Sequence, residues 1–175
     1  MLLGKYESKD APVTPLAWVA GSATNNNAYH MTAPAKEGEG SRQVMAAALE
    51  DAGLKPEDVE HICAHATSTV ANDVTEAAAF RNLFGEQLAQ MTVAAHKSQI
   101  GHMMGAAGLA EAITTVQVLR NSRIPPTLGH QELDPMMCTV DCVPGETRDR
   151  VVSCAITNSA GLGGNNASVV LQAAS

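Results

Sequence analysis

Two hydrophobic periods alternate along this chain, and the switches between them mark its elements. Residues 16–23 (Leu-Ala-Trp-Val-Ala-Gly-Ser-Ala) form a short apolar run that predicts a strand. The polar stretch 8–15, with two prolines, precedes it as a loop, and Thr24-Asn25-Asn26-Asn27 follows with turn chemistry. A charged, glycine-rich connector ends at Gly40. Ser41 can then cap a helix reaching Ala52, because Met45, Ala48, Leu49 and Ala52 fall at i, i+3, i+4 and i+7. Gly53 stops that helix, and Pro56 prevents it from resuming.

Residues 59–64 predict a second strand, followed by a polar loop over 65–71. Asn72 or Asp73 can cap the next helix, which carries Val74, Ala77, Ala78 and Phe80 and ends near Gly85. Glu76 lies early in it, where the helix dipole favours a carboxylate. A third strand over 91–95 runs into the loop Lys97-Ser98-Gln99-Ile100-Gly101-His102-Met103-Met104-Gly105-Ala106-Ala107-Gly108. A helix from about 105 to 120 follows, with Ala106, Leu109, Ile113, Val116 and Leu119 on its apolar side. Pro125-Pro126 closes it, and 127–148 is irregular. Two strands, 151–157 and 167–172, flank a turn at 158–166 that only a glycine-rich chain follows. Strand and helix alternate, which predicts an α/β fold. Its mixed, mostly parallel sheet carries packed helices and a C-terminal antiparallel hairpin as an edge.

Composition narrows the partners. Of 175 residues, 45% are hydrophobic but only 3% aromatic, so the core must be built from small aliphatic side chains. A net charge of −7 argues against nucleic acid and anionic membranes. No apolar run approaches the roughly 20 residues that span a bilayer, and the N-terminus lacks the pattern of a secretory signal. The four cysteines (63, 138, 142 and 154) form no CxxC pair, and the six histidines are scattered singly. A zinc site is therefore not expected, and a cytoplasmic protein with reduced thiols is.

The candidate chemistry sits on three loops that end or join strands: 65–69, 97–108 and 158–166. In open α/β sheets, ligands gather at the carboxyl ends of parallel strands. His65 and His102 can both donate N–H to one oxyanion, with Lys97 adding positive charge and Glu111 placed to pair with Lys97. Thr67 and Thr69 can hold an amide-bearing substrate arm, and the glycine turn can present backbone N–H groups. Each residue has a plainer alternative: a structural histidine at a strand end, a solvated lysine, a simple hairpin. His30, His61, His96 and His130 read as surface or structural, and Cys63 as a small buried hydrophobe.

These blocks resemble a known family. His65-Ala66-Thr67-Ser68-Thr69-Val70-Ala71-Asn72-Asp73 is similar to a His-Gly-Thr-x-Thr-x-x-x-Asp stretch, and Lys97-Ser98-Gln99-Ile100-Gly101-His102 to a Lys-Ser-x-x-Gly-His stretch. Ala28-Tyr29-His30-Met31-Thr32, Ile124-Pro125-Pro126-Thr127 and 158–166 match three further blocks, in order. The chain thus resembles the C-terminal half of an elongating β-ketoacyl-acyl-carrier-protein synthase, a thiolase-fold condensing enzyme of fatty acid and polyketide synthesis. The resemblance divides the chain into 1–40, the end of an N-terminal half and its connector, and 41–175, the thiolase-like C-terminal domain.

The resemblance implies that His65 and His102 bind the thioester carbonyl as malonyl-carrier decarboxylates, with Lys97 and Glu111 supporting them. It implies that Thr67 and Thr69 bond the phosphopantetheine arm, and that the backbone at Leu162 and Gly163 completes an oxyanion hole. Substrate would arrive on acyl carrier protein, and no nicotinamide, metal or redox cofactor would be needed. The family's nucleophilic cysteine lies in the N-terminal half, so this chain alone is expected to be inactive and to need a cysteine-bearing half. An exposed apolar face would then drive a homodimer or other self-association. A non-catalytic module that binds acyl carrier protein or a ketosynthase partner is the alternative. Ala66 replaces the family's usual glycine. Ala160 and Leu162 stand where phenylalanines are usual, which leaves chain-length choice open, and Asn165 stands where histidine is common.

Overall fold

A computed structural model describes Gly4 and residues 14–134 and 140–174. Cys138 lies outside the described residues, and Cys63 and Cys154 are buried free thiols. In chain order the elements are β1 (Ala17–Asn26), α1 (Glu39–Ala52), β2 (His61–Cys63), α2 (Val70–Phe84), β3 (Thr92–Ala94), α3 (Lys97–Ile100), α4 (Ala107–Asn121), β4 (Arg123–Ile124), β5 (Arg148–Asp149), β6 (Cys154–Ala160) and β7 (Asn165–Ala173).

Five strands form one sheet in the order β1-β7-β6-β2-β3. β6 pairs with β2, and β2 with β3, in parallel; β7 is antiparallel to both β1 and β6. Four strands therefore run one way and only β7 runs against them, so the sheet is mixed and mostly parallel. The β6–β7 hairpin differs from expectation in its place. It does not form an edge: β7 lies between β6 and β1, and β6 is the central strand. β4 and β5 make a separate antiparallel ribbon.

Alternation along the strands divides the core between two faces. Cys154, Ile156, Ile62, Val93 and Val170 meet Met45, Ala48 and Leu49 of α1 and Ala77, Phe80 and Phe84 of α2. Ala155, Leu171 and Ala94 meet Val116, Val118 and Leu119 of α4 on the other face. The result is three layers, helix on sheet on helix. The scarcity of aromatics shows in the packing. At Gly21 of β1 an added Cβ would stand 2.5 Å from the Ala48 carbonyl oxygen, so α1 rests directly on strand backbone.

Several boundaries move. Thr24, Asn25 and Asn26 belong to β1 because their partners lie across the sheet, on Ala167, Asn166 and Asn165 of β7: Asn25 Oδ1 accepts from Asn166 Nδ2, and Asn26 Nδ2 donates to Asn165 Oδ1 and to the Gly163 carbonyl. The last strands shift to 154–160 and 165–173, which shortens the turn between them. The Lys97 loop opens with one helical turn, α3.

Candidate functional site

The carboxyl ends of β2, β3 and β6 bring the three loops together. A cleft of about 660 Å³ is lined by His65, Thr67, Thr69, His102 and Leu162 among others. Lys97 and Glu111 lie behind it, and Gly163 is not among its lining residues.

His65 lies two residues beyond β2 and is buried, whereas His102 is exposed after α3. Their rings meet edge to face, with centroids 5.6 Å apart and planes at 87°. Each ring has its Nδ1 occupied. Lys97 Nζ lies 3.3 Å from His65 Nδ1, and an ammonium can only donate, so His65 accepts there. The Met104 backbone N–H donates to His102 Nδ1 at 3.2 Å. In the neutral form each ring must then carry its proton on Nε2. Two N–H donors side by side are suited to one developing oxyanion.

Lys97 is held by Glu111 of α4 in a buried ion pair whose side chains are 6% and 1% exposed. Lys97 is thus not a solvated loop lysine. Burial pushes the Glu111 carboxyl up, and the Lys97 ammonium and the Ser159 hydroxyl (3.3 Å) pull it back. Thr67 and Thr69 share a hydrogen bond of 3.0 Å between their hydroxyls. In the glycine turn, the Gly163 N–H donates to the Met31 carbonyl at 2.7 Å, so that amide is already used. Gly164 has φ +78°, and an added Cβ would stand 2.2 Å from Asn27 Oδ1. Among the described residues, no cysteine lines the cleft. Cys63 is fully buried beside His96 Nδ1, and burial pushes its thiol up, the state of an inert core cysteine.

Sequence reasoning missed three members of the site: Glu76, Asn158 and Ser159. Glu76 Oε1 and Oε2 accept the backbone N–H groups of His65 and Ala66, both at 2.8 Å, and Asn158 Nδ2 donates to Oε1 at 2.8 Å. The available signal was a carboxylate one turn before Phe80, on the buried side of its helix.

Burial depresses three imidazoles: His61 to about 3, and His65 and His96 to about 4, with Lys97 also opposing protonation of the last two. A folded-state value below the unfolded 6.5 means the unfolded chain binds more protons as pH falls. The stabilisation is therefore full above about 6.5 and is lost down toward about 4, at up to about 1.4 kcal/mol per pH unit for each ring. We expect the melting temperature to fall between pH 6.5 and 5, and His61→Phe to flatten that slope by one histidine's share. Equal slopes in thermal melts of the two proteins would contradict it.

The chain is similar to known proteins in sequence and in fold. Residues 16–131 match the family model described as "Beta-ketoacyl synthase, C-terminal domain". The chain is 43% identical over 156 residues to 3-oxoacyl-[acyl-carrier-protein] synthase 2 of Staphylococcus aureus, covering 89% of this chain and 38% of that protein. It is 42% identical over 154 residues to the synthase 2 of Synechocystis, covering 88% and 37%. Among solved structures, a type II PKS acyl-carrier protein in complex with its ketosynthase bound to the hexaketide matches with a TM-score of 0.88 and 31% identity, over 91% of this chain and 39% of that one. The ishigamide ketosynthase/chain length factor matches at 0.85 and 38%, over 90% and 38%. The chain spans well under half the length of these relatives. The family model over residues 16–131, the identity to these synthases and the likeness of fold place this chain in the β-ketoacyl synthase family, as a thiolase-like C-terminal domain of these condensing enzymes.

Proposed function

We propose that the chain supplies the two-histidine half of a ketosynthase active site, completed by a cysteine-bearing N-terminal half. The observation that carries this is the His65–His102 pair, each ring with Nδ1 occupied and its Nε2 left to donate. A malonyl thioester carried on the phosphopantetheine arm of acyl carrier protein would lie along the cleft, with Thr67 and Thr69 beside the arm. The bond between Cα and the carboxylate breaks, CO₂ leaves, and the electron pair becomes an enolate whose oxygen accepts the two imidazole N–H groups. The enolate carbon then attacks the acyl thioester on the partner half's cysteine, and the thiolate leaves. Lys97 keeps His65 in the required tautomer and adds positive charge, and the Leu162 amide lies at the cleft for the second carbonyl. The reaction uses no nicotinamide or metal.

The uncovered face of α4 supports a partner half. Leu109 and Ile113, one turn apart, are 53% and 39% exposed, and Met103 and Met104, just before α4, are exposed as well. The same face would make the isolated chain self-associate. Among the described residues, no helix is long and apolar enough to cross a membrane, which fits a cytoplasmic enzyme.

The test is condensation of an acyl primer with malonyl-acyl carrier protein, by the chain alone and fused to a cysteine-bearing N-terminal ketosynthase half. Turnover is expected only from the fusion. Turnover by the chain alone, or carrier-protein binding with no turnover in either form, would overturn the reading. The second result would make it a binding module.

A further inference from the structure

We propose that residues 125–128 form a strap that positions Lys97, and through it the His65 ring, with Thr127 as the central positioning residue. The inference rests on the reaction proposed above; the contacts themselves do not. That reaction gives Pro125-Pro126-Thr127 no part, yet this run lies against the loop that delivers Lys97.

Lys97 opens α3, a single helical turn of four residues. A lone turn fixes several backbone angles for very few hydrogen bonds and does not hold its shape unaided. Its geometry must come from outside, and the strap supplies three bonds. Thr127 Oγ1 accepts the Ala95 N–H at 3.1 Å, just beyond β3. Gln99 Nε2 donates to the Pro126 carbonyl at 2.7 Å, and the Leu128 N–H donates to Ser98 Oγ at 2.9 Å. These partners lie 27 to 32 residues apart in sequence, so no local turn makes the contacts. The strap is itself stiff and anchored. It follows β4 directly, and each of its two prolines fixes φ at about −65°. The Thr127 N–H donates to the Val143 carbonyl at 2.9 Å, beside a parallel bridge to Pro144.

Successive residues of the loop are thus held from different sides. Ala95 is tied to Thr127, and the His96 ring meets Cys63 Sγ of β2 at 3.3 Å. Lys97 pairs with Glu111 of α4 and reaches His65 Nδ1 at 3.3 Å. Ser98 and Gln99 return to the strap. They are exposed, whereas His96 and Lys97 are buried, so the strap closes the outer side of a turn whose inner side serves the site. Glu111 holds only the ammonium at the end of a flexible four-carbon stem. The strap fixes the backbone from which that stem starts. Thr127→Val is the informative change. Valine keeps the shape and the β-branching, but its missing hydroxyl leaves the Ala95 N–H without an acceptor. Thr127→Ser keeps that acceptor.

The experiment has two arms. In the chain itself, ¹⁵N NMR at neutral pH reads the tautomer of the His65 ring. The wild type and Thr127→Ser should show a single Nε2–H form, and Thr127→Val a mixture with at least about a tenth of the other tautomer. In the fusion with a cysteine-bearing half, Thr127→Val should lower kcat about tenfold, with KM for malonyl-acyl carrier protein unchanged within about twofold. Thr127→Ser should restore the rate. In a His65→Ala background Thr127→Val should add less than about threefold, because strap and ring act in series.

A strap that only stabilises the fold would lower the melting temperature of Thr127→Val and leave both the tautomer and kcat as they were; that result would overturn the proposal. Mixed tautomers in the wild type, or losses that multiply in the double variant, would overturn it as well. If Thr127→Val does not fold, Gln99→Met removes a different strap bond at an exposed position and should give the same mixture in smaller proportion. A single tautomer there would count against the strap equally. A wild-type fusion without turnover would sink the proposed reaction, while the tautomer would still decide whether the strap sets Lys97 against His65.

Discussion

Glu111→Ala is expected to destabilise the chain by about 3–5 kcal/mol, because it leaves the Lys97 ammonium buried without its counter-charge. Both side chains of the pair are almost fully enclosed. Replacing the two together, as Lys97→Met with Glu111→Leu, removes both charges and keeps the volume, so stability should return to near the wild-type value. Urea unfolding of the three proteins reads the difference directly. A loss under about 1 kcal/mol in Glu111→Ala would show that water reaches Lys97 and that the pair is not sealed. The repaired double variant should nonetheless be inactive in the fusion, since His65 Nδ1 has lost its donor and the ring can take either tautomer.

His65→Ala and His102→Ala should each slow decarboxylation in the fusion by about 10²–10³-fold, the usual loss for one oxyanion donor. The readout is CO₂ release from malonyl-acyl carrier protein, which does not depend on the later carbon–carbon bond. If either alanine variant retained more than about a tenth of the wild-type rate, that ring would not be holding the enolate oxygen. Because His65 is neutral down to about pH 4, its protonation should not limit the rate between pH 7 and 5.

The α/β class, the helices and most strands could be read from the chain, because each carries its own hydrophobic period. The place of β7 could not be read. A period-2 pattern gives the face that a residue takes, but not the neighbour that its strand chooses. Asn25 and Asn26 misled for a related reason: local turn preference gave way to side-chain bonds made more than a hundred residues away. β4 and β5, two residues each, are too short to leave a pattern.

Within the site, His65, His102 and Lys97 were visible as motif residues and Glu111 as a helix residue placed to pair with Lys97, and the structure brings the four into one chain of contacts. Glu76, Asn158 and Ser159 were not, because their importance lies in strand alternation and helix facing. Their residue types look like an ordinary acid early in a helix and an ordinary turn.

The position of β7 between β6 and β1 sets an order of events. Asn26 of β1 faces Asn165 of β7 across 139 residues, and Ala17 faces Ala173. β1, the earliest strand of this sheet along the chain, thus gains its sheet partner only from β7, the latest. Until then α1 can dock onto β1 locally, but the backbone of β1 has no ladder to join. Contacts of such separation close slowly, and a strand left with two open edges can pair with another chain meanwhile. Slow refolding with losses that grow with protein concentration follows from topology alone, before any question of catalysis arises.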